Sequence, residues 1–347
     1  MKRLFVTFIA VMAILPYVKA EDLIPVRDSA DKPVKLIYDT DIGGDIDDAL
    51  ALAILHNMVK RGQIELVGVT ITKSNIYAAK FCKAFNIQYG RPDVPIGLIK
   101  NGPRPDDGKY ARKVIEMKNE DGSAKFPVPA DWEPEDSVVL LRKLLAAAED
   151  NSIVIAQVGM STNLARLMDT PGDDISPLTG MELAAKKVRL VVAMAGAFAF
   201  NTKKYENYRE YNVIVDIPAA AKFFQEWPGE IVVSGFEIGV DILFPGEAFN
   251  ADLRIKDSIV RESYRFHRGG VDGKTQPTWD LTCILFSGRP ESWRNYFTLS
   301  PRGKITVMND GRFRFTETPD GARRAFICSP EQKSIIREAF INLCTEL

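Results

Sequence analysis

The chain has 347 residues, with 45 Lys and Arg against 46 Asp and Glu, for a formal net charge of −1. That balance argues against a nucleic-acid partner. Two histidines (His56 and His267) and four cysteines without metal spacing argue against a histidine zinc site and against any relay of several histidines.

Met1 to Ala20 reads as a secretory signal: Lys2-Arg3, an apolar run from Leu4 to Leu15, then Val18-Lys19-Ala20 as a small-residue cleavage site. The apolar run is short for a membrane span. The mature protein is therefore expected to be exported, periplasmic or secreted, with no membrane segment. Removing Lys2, Arg3 and Lys19 takes the charge from −1 to −4. In such a compartment a pair among Cys82, Cys283, Cys328 and Cys344 could oxidise, or all four could serve as small buried apolar residues. Residues 21–347 exceed a typical domain in length, yet no linker, repeat or low-complexity tract divides them.

The strongest local feature is Leu36-Ile37-Tyr38-Asp39-Thr40-Asp41-Ile42-Gly43-Gly44-Asp45-Ile46-Asp47-Asp48-Ala49-Leu50-Ala51-Leu52. An apolar run of β-formers ends in five aspartates within ten residues, and an amphipathic stretch follows. This predicts a buried strand, a glycine turn and a helix with an acidic first turn. Carboxylates so close repel one another, and no basic residue in the stretch offsets them. A bound cation resolves the conflict. Ca²⁺, which accepts about six to eight oxygen ligands, suits flexible carboxylate clusters better than the smaller Mg²⁺. An EF-hand fails because Leu50 stands where the loop needs its bidentate glutamate. A haloacid-dehalogenase-type phosphatase shares Asp39-x-Asp41 but wants Thr or Val where this chain has Gly43. An acidic, solvated helix start is the plain alternative. Against it, the carboxylates sit at the carboxyl end of a buried strand, where open α/β sheets bind ligands.

Further strand-like runs are Ile64–Ile71, Ile153–Val158, Val188–Met194 and Glu230–Ser234. They alternate with helical stretches near Asp48–Val59, Ile76–Asn86, Pro134–Ala148, Thr162–Leu167 and Pro218–Glu226. Such alternation predicts one α/β domain with a mostly parallel central sheet flanked by helices, and the near-continuous apolar strands suit a sheet covered on both faces. Asn101–Trp132 has no period and reads as a long loop, a lid or insertion near a site. The C-terminal Lys304–Met308, Phe313–Thr316 and Pro330–Leu343 carry no legible chemistry.

Between these elements lie further polar pieces in order: Thr70-Ile71-Thr72-Lys73-Ser74-Asn75, then Val158-Gly159-Met160-Ser161-Thr162-Asn163, where Thr162-Asn163 are expected to cap a helix. A loop past Gly196 contains Asn201 and ends in Glu210-Tyr211-Asn212. Last comes Pro277-Thr278-Trp279-Asp280-Leu281.

Together these pieces resemble the inosine–uridine-preferring nucleoside hydrolases over Val34 to Phe286. Asp39, Asp41, Gly43, Asp47, Asp48 and Ala49 match the signature Asp-x-Asp-Pro-Gly-x-Asp-Asp-Ala, with Ile42 in place of proline and two extra residues before the aspartate pair. The resemblance implies a nucleoside hydrolase-like fold and a Ca²⁺ site. Its ligands would be Asp41, Asp48, the Val158 carbonyl and Asp280, joined by either Asp45 or Asp47. It places Asn75, Asn201, Glu210 and Asn212 on the ribose. It implies a small-molecule nucleoside as substrate, a dimer or tetramer of the chain, and hydrolysis of the N-glycosidic bond by a metal-bound water whose proton goes to Asp41. Trp279 replaces the family's histidine near the leaving base. Protonation of that base then falls to another side chain (Lys73, Tyr110, Tyr208 or Arg209) or to solvent, or gives way to stacking on Trp279 or Tyr211. A hydrolase of a different N-riboside, or a calcium- and ribose-binding protein without turnover, would preserve the same residues.

Overall fold

The computed structural model describes residues 32–251, 253–289 and 293–346. The expected signal, residues 1–20, lies outside them.

The aspartate-bearing strand β1 (Val34–Thr40) is the spine of the sheet. It pairs in parallel with β2 (Ile64–Ile71) on one side and β5 (Ile153–Gln157) on the other. Outward from β2 run β3 (Ile96–Leu98) and the two-residue β4 (Glu135–Asp136), both parallel. Outward from β5 run β6 (Val188–Met194) and β7 (Ile231–Ser234), also parallel. A small separate ribbon joins β8 (Leu243–Pro245) to β9 (Thr275–Pro277). The sheet then continues through C-terminal strands: β13 (Arg323–Ile327) lies parallel to β7, with β10 (Thr298–Leu299), β11 (Gly303–Val307) and β12 (Phe313–Glu317) added antiparallel.

Side chains on a strand alternate faces, and both faces of β1 are buried. Leu36 and Tyr38 join the core under the helices Asp47–Lys60, Ile76–Gln88, Trp279–Gly288 and Pro330–Cys344. Ile37 joins the core under Ser137–Ala147, Thr162–Met168, Gly180–Lys187 and Ile217–Glu226. The alternating, doubly covered architecture is as expected. Among the described residues no helix is long and apolar enough to cross a membrane, and all four cysteines are free thiols.

Three details differ from expectation. The helix expected from Pro134 starts at Ser137, because Glu135 and Asp136 pair with Gly97 and Leu98 and Asp136 then caps the helix by accepting from the N–H groups of Val138 and Val139. The loop 101–132 holds a short helix, Ala111–Ile115, and a bridge between Lys118 and Ala124. Residues 298–327, past the last site motif and without legible chemistry, supply four strands of the main sheet.

Candidate active site

The carboxyl ends of β1, β5, β6 and β7 open into one cleft of about 480 Å³. Twelve residues singled out in the sequence line it: Asp41, Asp45, Asp47, Asp48, Lys73, Val158, Tyr208, Glu210, Tyr211, Asn212, Trp279 and Asp280.

Asp47 and Asp48 are the first two residues of the helix Asp47–Lys60, where main-chain N–H groups favour negative charge. Asp280 occupies the same place in the helix Trp279–Gly288. Its N–H donates to Oδ2 of Asp47 at 3.2 Å. One oxygen from each of Asp47, Asp48 and Asp280 lies within 4.8 Å of the others, and all three side chains are buried. Burial, and then the charge of the neighbouring aspartates, push all three carboxyls well above the ordinary range. Buried carboxylates facing one another must take up protons or bind a cation. The donor set is all hard oxygen, and Val158 lines the same cleft. That set fits Ca²⁺ or Mg²⁺ and does not suit a softer metal.

Asp45 behaves differently from Asp47. Its side chain is 42% exposed, with Oδ1 accepting from Gln276 Nε2 at 2.7 Å and lying 3.3 Å from His267 Nε2. The structure thus places Asp47 in the carboxylate trio and turns Asp45 toward the helix that carries His267.

Asp41 stands beside the trio. Burial raises its carboxyl to about 6, and the ammonium of Lys73 and the guanidinium of Arg104 limit that rise. Asp39, two residues earlier on β1, points away from the cleft. Its Oδ1 accepts from Thr70 Oγ1 at 2.6 Å and from Asn163 Nδ2 at 2.7 Å, and burial lifts it to about 7. Asn163 is therefore tied to Asp39 rather than capping its helix, whose N-cap, Ser161, makes no side-chain cap bond.

Glu210 caps the helix Tyr211–Val215: Oε1 accepts from Asn212 N at 2.8 Å, and Oε2 from Val213 N at 3.3 Å and Gly196 N at 3.4 Å. Burial holds its carboxyl at about 7 despite those donors. Asn212 Nδ2 donates to the Val158 carbonyl at 2.7 Å, linking the expected ribose contact to the expected metal ligand. A carbonyl oxygen has two lone pairs, so this bond leaves one for a cation.

The aromatic side of the cleft is a continuous stack. Tyr208 lies on Phe236 at 3.9 Å between ring centres, and Phe236 on Trp279 at 5.3 Å, both inclined by 25°. Trp279 Nε1 donates to the Phe236 carbonyl at 3.0 Å, which fixes the indole plane. The three rings give the cleft an apolar side next to its carboxylates, suited to a flat ring system.

Two expected ribose contacts stand outside the lining. Asn75 caps the helix Ile76–Gln88 through Oδ1, while Nδ2 donates to Pro105 O and Asp107 Oδ1, both at 2.9 Å. It anchors the 101–110 loop rather than facing the cavity. Asn201 Nδ2 donates to Glu237 Oε1 at 2.6 Å and Phe326 O at 2.9 Å, so its donors are spent on the fold. Of the expected proton donors, Lys73 and Tyr208 line the cleft and Arg209 does not. Tyr110 is buried beneath the glycine turn, its hydroxyl accepting from Gly43 N at 3.1 Å.

Arg104, Asp106, Gly108, Lys109 and Phe236 line the cleft without having been singled out individually. The first four belong to the long loop already expected near a site. It docks on the aspartate turn through Lys109 N to Gly43 O at 2.7 Å. A Cβ on Gly108, whose φ is +66°, would come within 2.0 Å of that carbonyl, so only glycine permits the approach. Phe236 follows β7, a position the strand-end rule alone could have flagged.

A parallel α/β sheet with carboxylates clustered at its strand ends and an aromatic wall beside them defines an enzyme cleft for a small polar molecule with a flat group. The model of the inosine–uridine-preferring nucleoside hydrolases matches residues 36–318, and the chain belongs to that family of metal-dependent enzymes acting on nucleosides. Among solved structures, a plant nucleoside hydrolase is similar at TM-score 0.66, with 19% identity over 91% of this chain and 100% of that one. An inosine–uridine-preferring nucleoside hydrolase from Bacillus anthracis is similar at 0.64, with 18% identity over 90% and 100%. A purine-preferring ribonucleoside hydrolase from Gardnerella vaginalis is similar at 0.65, with 18% identity over 90% and 99%. These likenesses bear on the fold. No curated protein matches the chain.

Proposed function

We propose that this protein hydrolyses the N-glycosidic bond of ribonucleosides to free base and ribose, with Ca²⁺ as its resident metal. The observation that carries the reading is the buried trio Asp47, Asp48 and Asp280, within 4.8 Å of one another at the foot of the aromatic wall. These three, with the Val158 carbonyl and Asp41, would hold the ion, and the mix of carboxylate and carbonyl donors suits the flexible coordination of Ca²⁺.

When bound, the ion supplies a Lewis-acidic template for a water and for the ribose hydroxyls. Asp41 accepts the proton of the attacking water. A carboxyl at about 6 is largely ionised at neutral pH and still basic enough to take that proton. The water oxygen bonds to C1′ as the C1′–N bond breaks; its electron pair leaves with the base, which takes up a proton from solvent or from Lys73 or Tyr208 in the cleft. Attack from the carboxylate side inverts the anomeric carbon. Glu210 and Asn212 hold ribose hydroxyls, keeping the reacting atoms aligned. The aspartate cluster favours the positive charge that develops on the sugar. The Tyr208–Phe236–Trp279 stack receives the base.

The deciding experiment is reducing-sugar release from inosine, uridine, adenosine and cytidine, with Ca²⁺ and then with chelator, on wild type and Asp41→Ala. Chelator-sensitive release that the substitution abolishes is expected. A protein that binds these nucleosides and Ca²⁺ yet releases no sugar would overturn it in favour of a binding protein. We further read residues 1–20 as an export leader, which fractionation would test, and the active protein as a homo-oligomer, which light scattering would test.

A further inference from the structure

Three cations share one arc of the cleft. Lys73, after β2, is buried (4% exposed), and its Nζ donates to Oδ1 of Asp106 at 2.8 Å. Arg104 Nε donates to the other oxygen of the same carboxylate at 2.7 Å. Among the described residues neither terminal nitrogen of Arg104 is hydrogen-bonded to protein, and its guanidinium lies 5.5 Å from the centre of the Tyr211 ring. Lys109 points its Nζ at His267 Nε2, 3.3 Å away, and among the described residues no carboxylate pairs with it. One carboxylate thus serves two cations, while the third reaches a carboxylate, Asp45, only across the His267 ring, whose Nε2 lies 3.3 Å from both Lys109 Nζ and Asp45 Oδ1; Lys73, Arg104, Asp106 and Lys109 all line the cleft.

The carboxylates of the floor balance the charge of this arc at a distance, Asp41 feeling both Lys73 and Arg104, but they do not fill its hydrogen-bond donors. An uncharged nucleoside brings no anionic acceptor to the outer edge of Arg104 or to the Lys109 ammonium. A guanidinium held at Nε presents its outer edge in the planar geometry that takes two oxygens of a phosphate or carboxylate. An ammonium on a flexible stem beside it adds a point charge with three donors.

Resting on the N-riboside reading of the cleft, we infer that its preferred substrates are ribosides carrying an anionic group, a phosphate or a carboxylate, bound by Arg104 and Lys109. The group could sit at the 5′ position or on the base.

Matched pairs decide between them: inosine against inosine 5′-monophosphate, and uridine against orotidine, whose base carries a carboxylate. With Ca²⁺ present, kcat/KM is measured for wild type, Arg104→Ala and Lys109→Ala, each in dilute and concentrated salt. In at least one pair the anionic member is expected to lead by about tenfold or more, as charge-assisted hydrogen bonds allow. Each substitution should shrink that ratio about tenfold, chiefly through KM, and salt should shrink it too. The pair that shows the lead identifies the source of the anion. Preference for the uncharged member in both pairs overturns the inference, as does a lead indifferent to both substitutions and to salt. If nothing turns over, it is the reaction that fails, and dissociation constants for the same pairs by calorimetry still decide the anion preference.

Discussion

The main-chain N–H of Asp280 donates to Oδ2 of Asp47 at 3.2 Å across 233 residues of chain. That bond joins the first turns of two helices, so their dipoles and their carboxylates meet at one point. The site is therefore not the product of the aspartate-rich stretch alone. It forms only when the helix Trp279–Gly288 has docked.

Metal binding should separate the two aspartates that the sequence left as alternatives. Asp47→Asn is expected to lose the bound ion, because it removes a charge from the buried trio. Asp45→Asn should retain one ion per chain, since that side chain is 42% exposed and bonded to Gln276. Metal content by atomic emission after gel filtration checks this. An Asp47→Asn protein with full occupancy would refute the placement.

Activity should have an acid limb at or below pH 6. Asp41 must be ionised to accept a proton, burial raises it to about 6, and a nearby cation can only lower that value. The rate thus falls as pH drops through the limb. Asp41→Asn should cut kcat by about 10²–10⁴, the usual worth of a positioned base. Steady-state rates from pH 4.5 to 8 provide the readout, and a limb above pH 7 would remove Asp41 from the role.

Trp279 should act on the base. Truncation to Ala removes a stacking partner worth about 1–3 kcal/mol and takes away one of two donors to the Phe236 carbonyl, leaving the Val240 N–H at 3.2 Å. KM is expected to rise by about tenfold, more than kcat falls. Trp279→Phe, which keeps a ring but loses the N–H, should lie between. Equal effects of both on kcat with KM unchanged would place Trp279 in the chemistry instead.

The buried Asp39 makes a prediction about stability. Its folded value is about 7 against an ordinary 3.8, so between those values the folded chain holds a proton that the unfolded chain has released. Stability from this group is therefore present at low pH and lost as pH rises through about 7. Asp39→Asn stays neutral and still offers Oδ1 to Thr70 and Asn163. The variant should show a shallower decline of Tm from pH 5 to 8 than wild type, by calorimetry. Parallel curves would contradict it.

The C-terminal hairpin should matter for substrate binding. The Phe313 ring packs so closely on Gly196 that a Cβ there would fall 2.3 Å away, and Gly196 N points at Glu210. Arg312 Nη1 also donates to Asn207 Oδ1 at 2.7 Å, on the same loop. Phe313→Ala should loosen Glu210 and raise KM several-fold, with Phe313→Leu restoring most of it. An unchanged KM in the Ala variant would reduce the hairpin to a structural part.

The sequence made the first half of the fold legible because its signals are local. Ile64–Ile71 and Val188–Met194 appear with the expected bounds, since an uninterrupted apolar run between turns leaves few alternatives. Strand β13 was missed because Arg323-Arg324 reads as solvent-facing. Yet both are buried, Arg323 donating to the carbonyls of Phe224 and Trp227, which the end of the helix Ile217–Glu226 leaves open. Site residues followed the same division. The aspartates, Glu210 and Trp279 sit in short ordered motifs; Phe236 follows a legible strand end and was overlooked there, whereas Lys109 reaches the cleft through loop docking that no spacing encodes. Asn75 and Asn201 matched by position, but their amides are engaged by the fold.

Strand β13 also bears on how the protein is made. Its residues, Arg323–Ile327, lie between β7 and β11, inside the sheet rather than at its rim. During synthesis β7 therefore waits with an open edge until Arg323–Ile327 has emerged, about 90 residues later, and the hairpin of β11 and β12 has no platform before then. Open edges of this kind are templates for pairing with other chains. A ribosome stalled short of residue 323 would carry a nascent chain with the aspartate turn already written but an unfinished sheet, prone to sticking, and emergence of Arg323–Ile327 would let the sheet close.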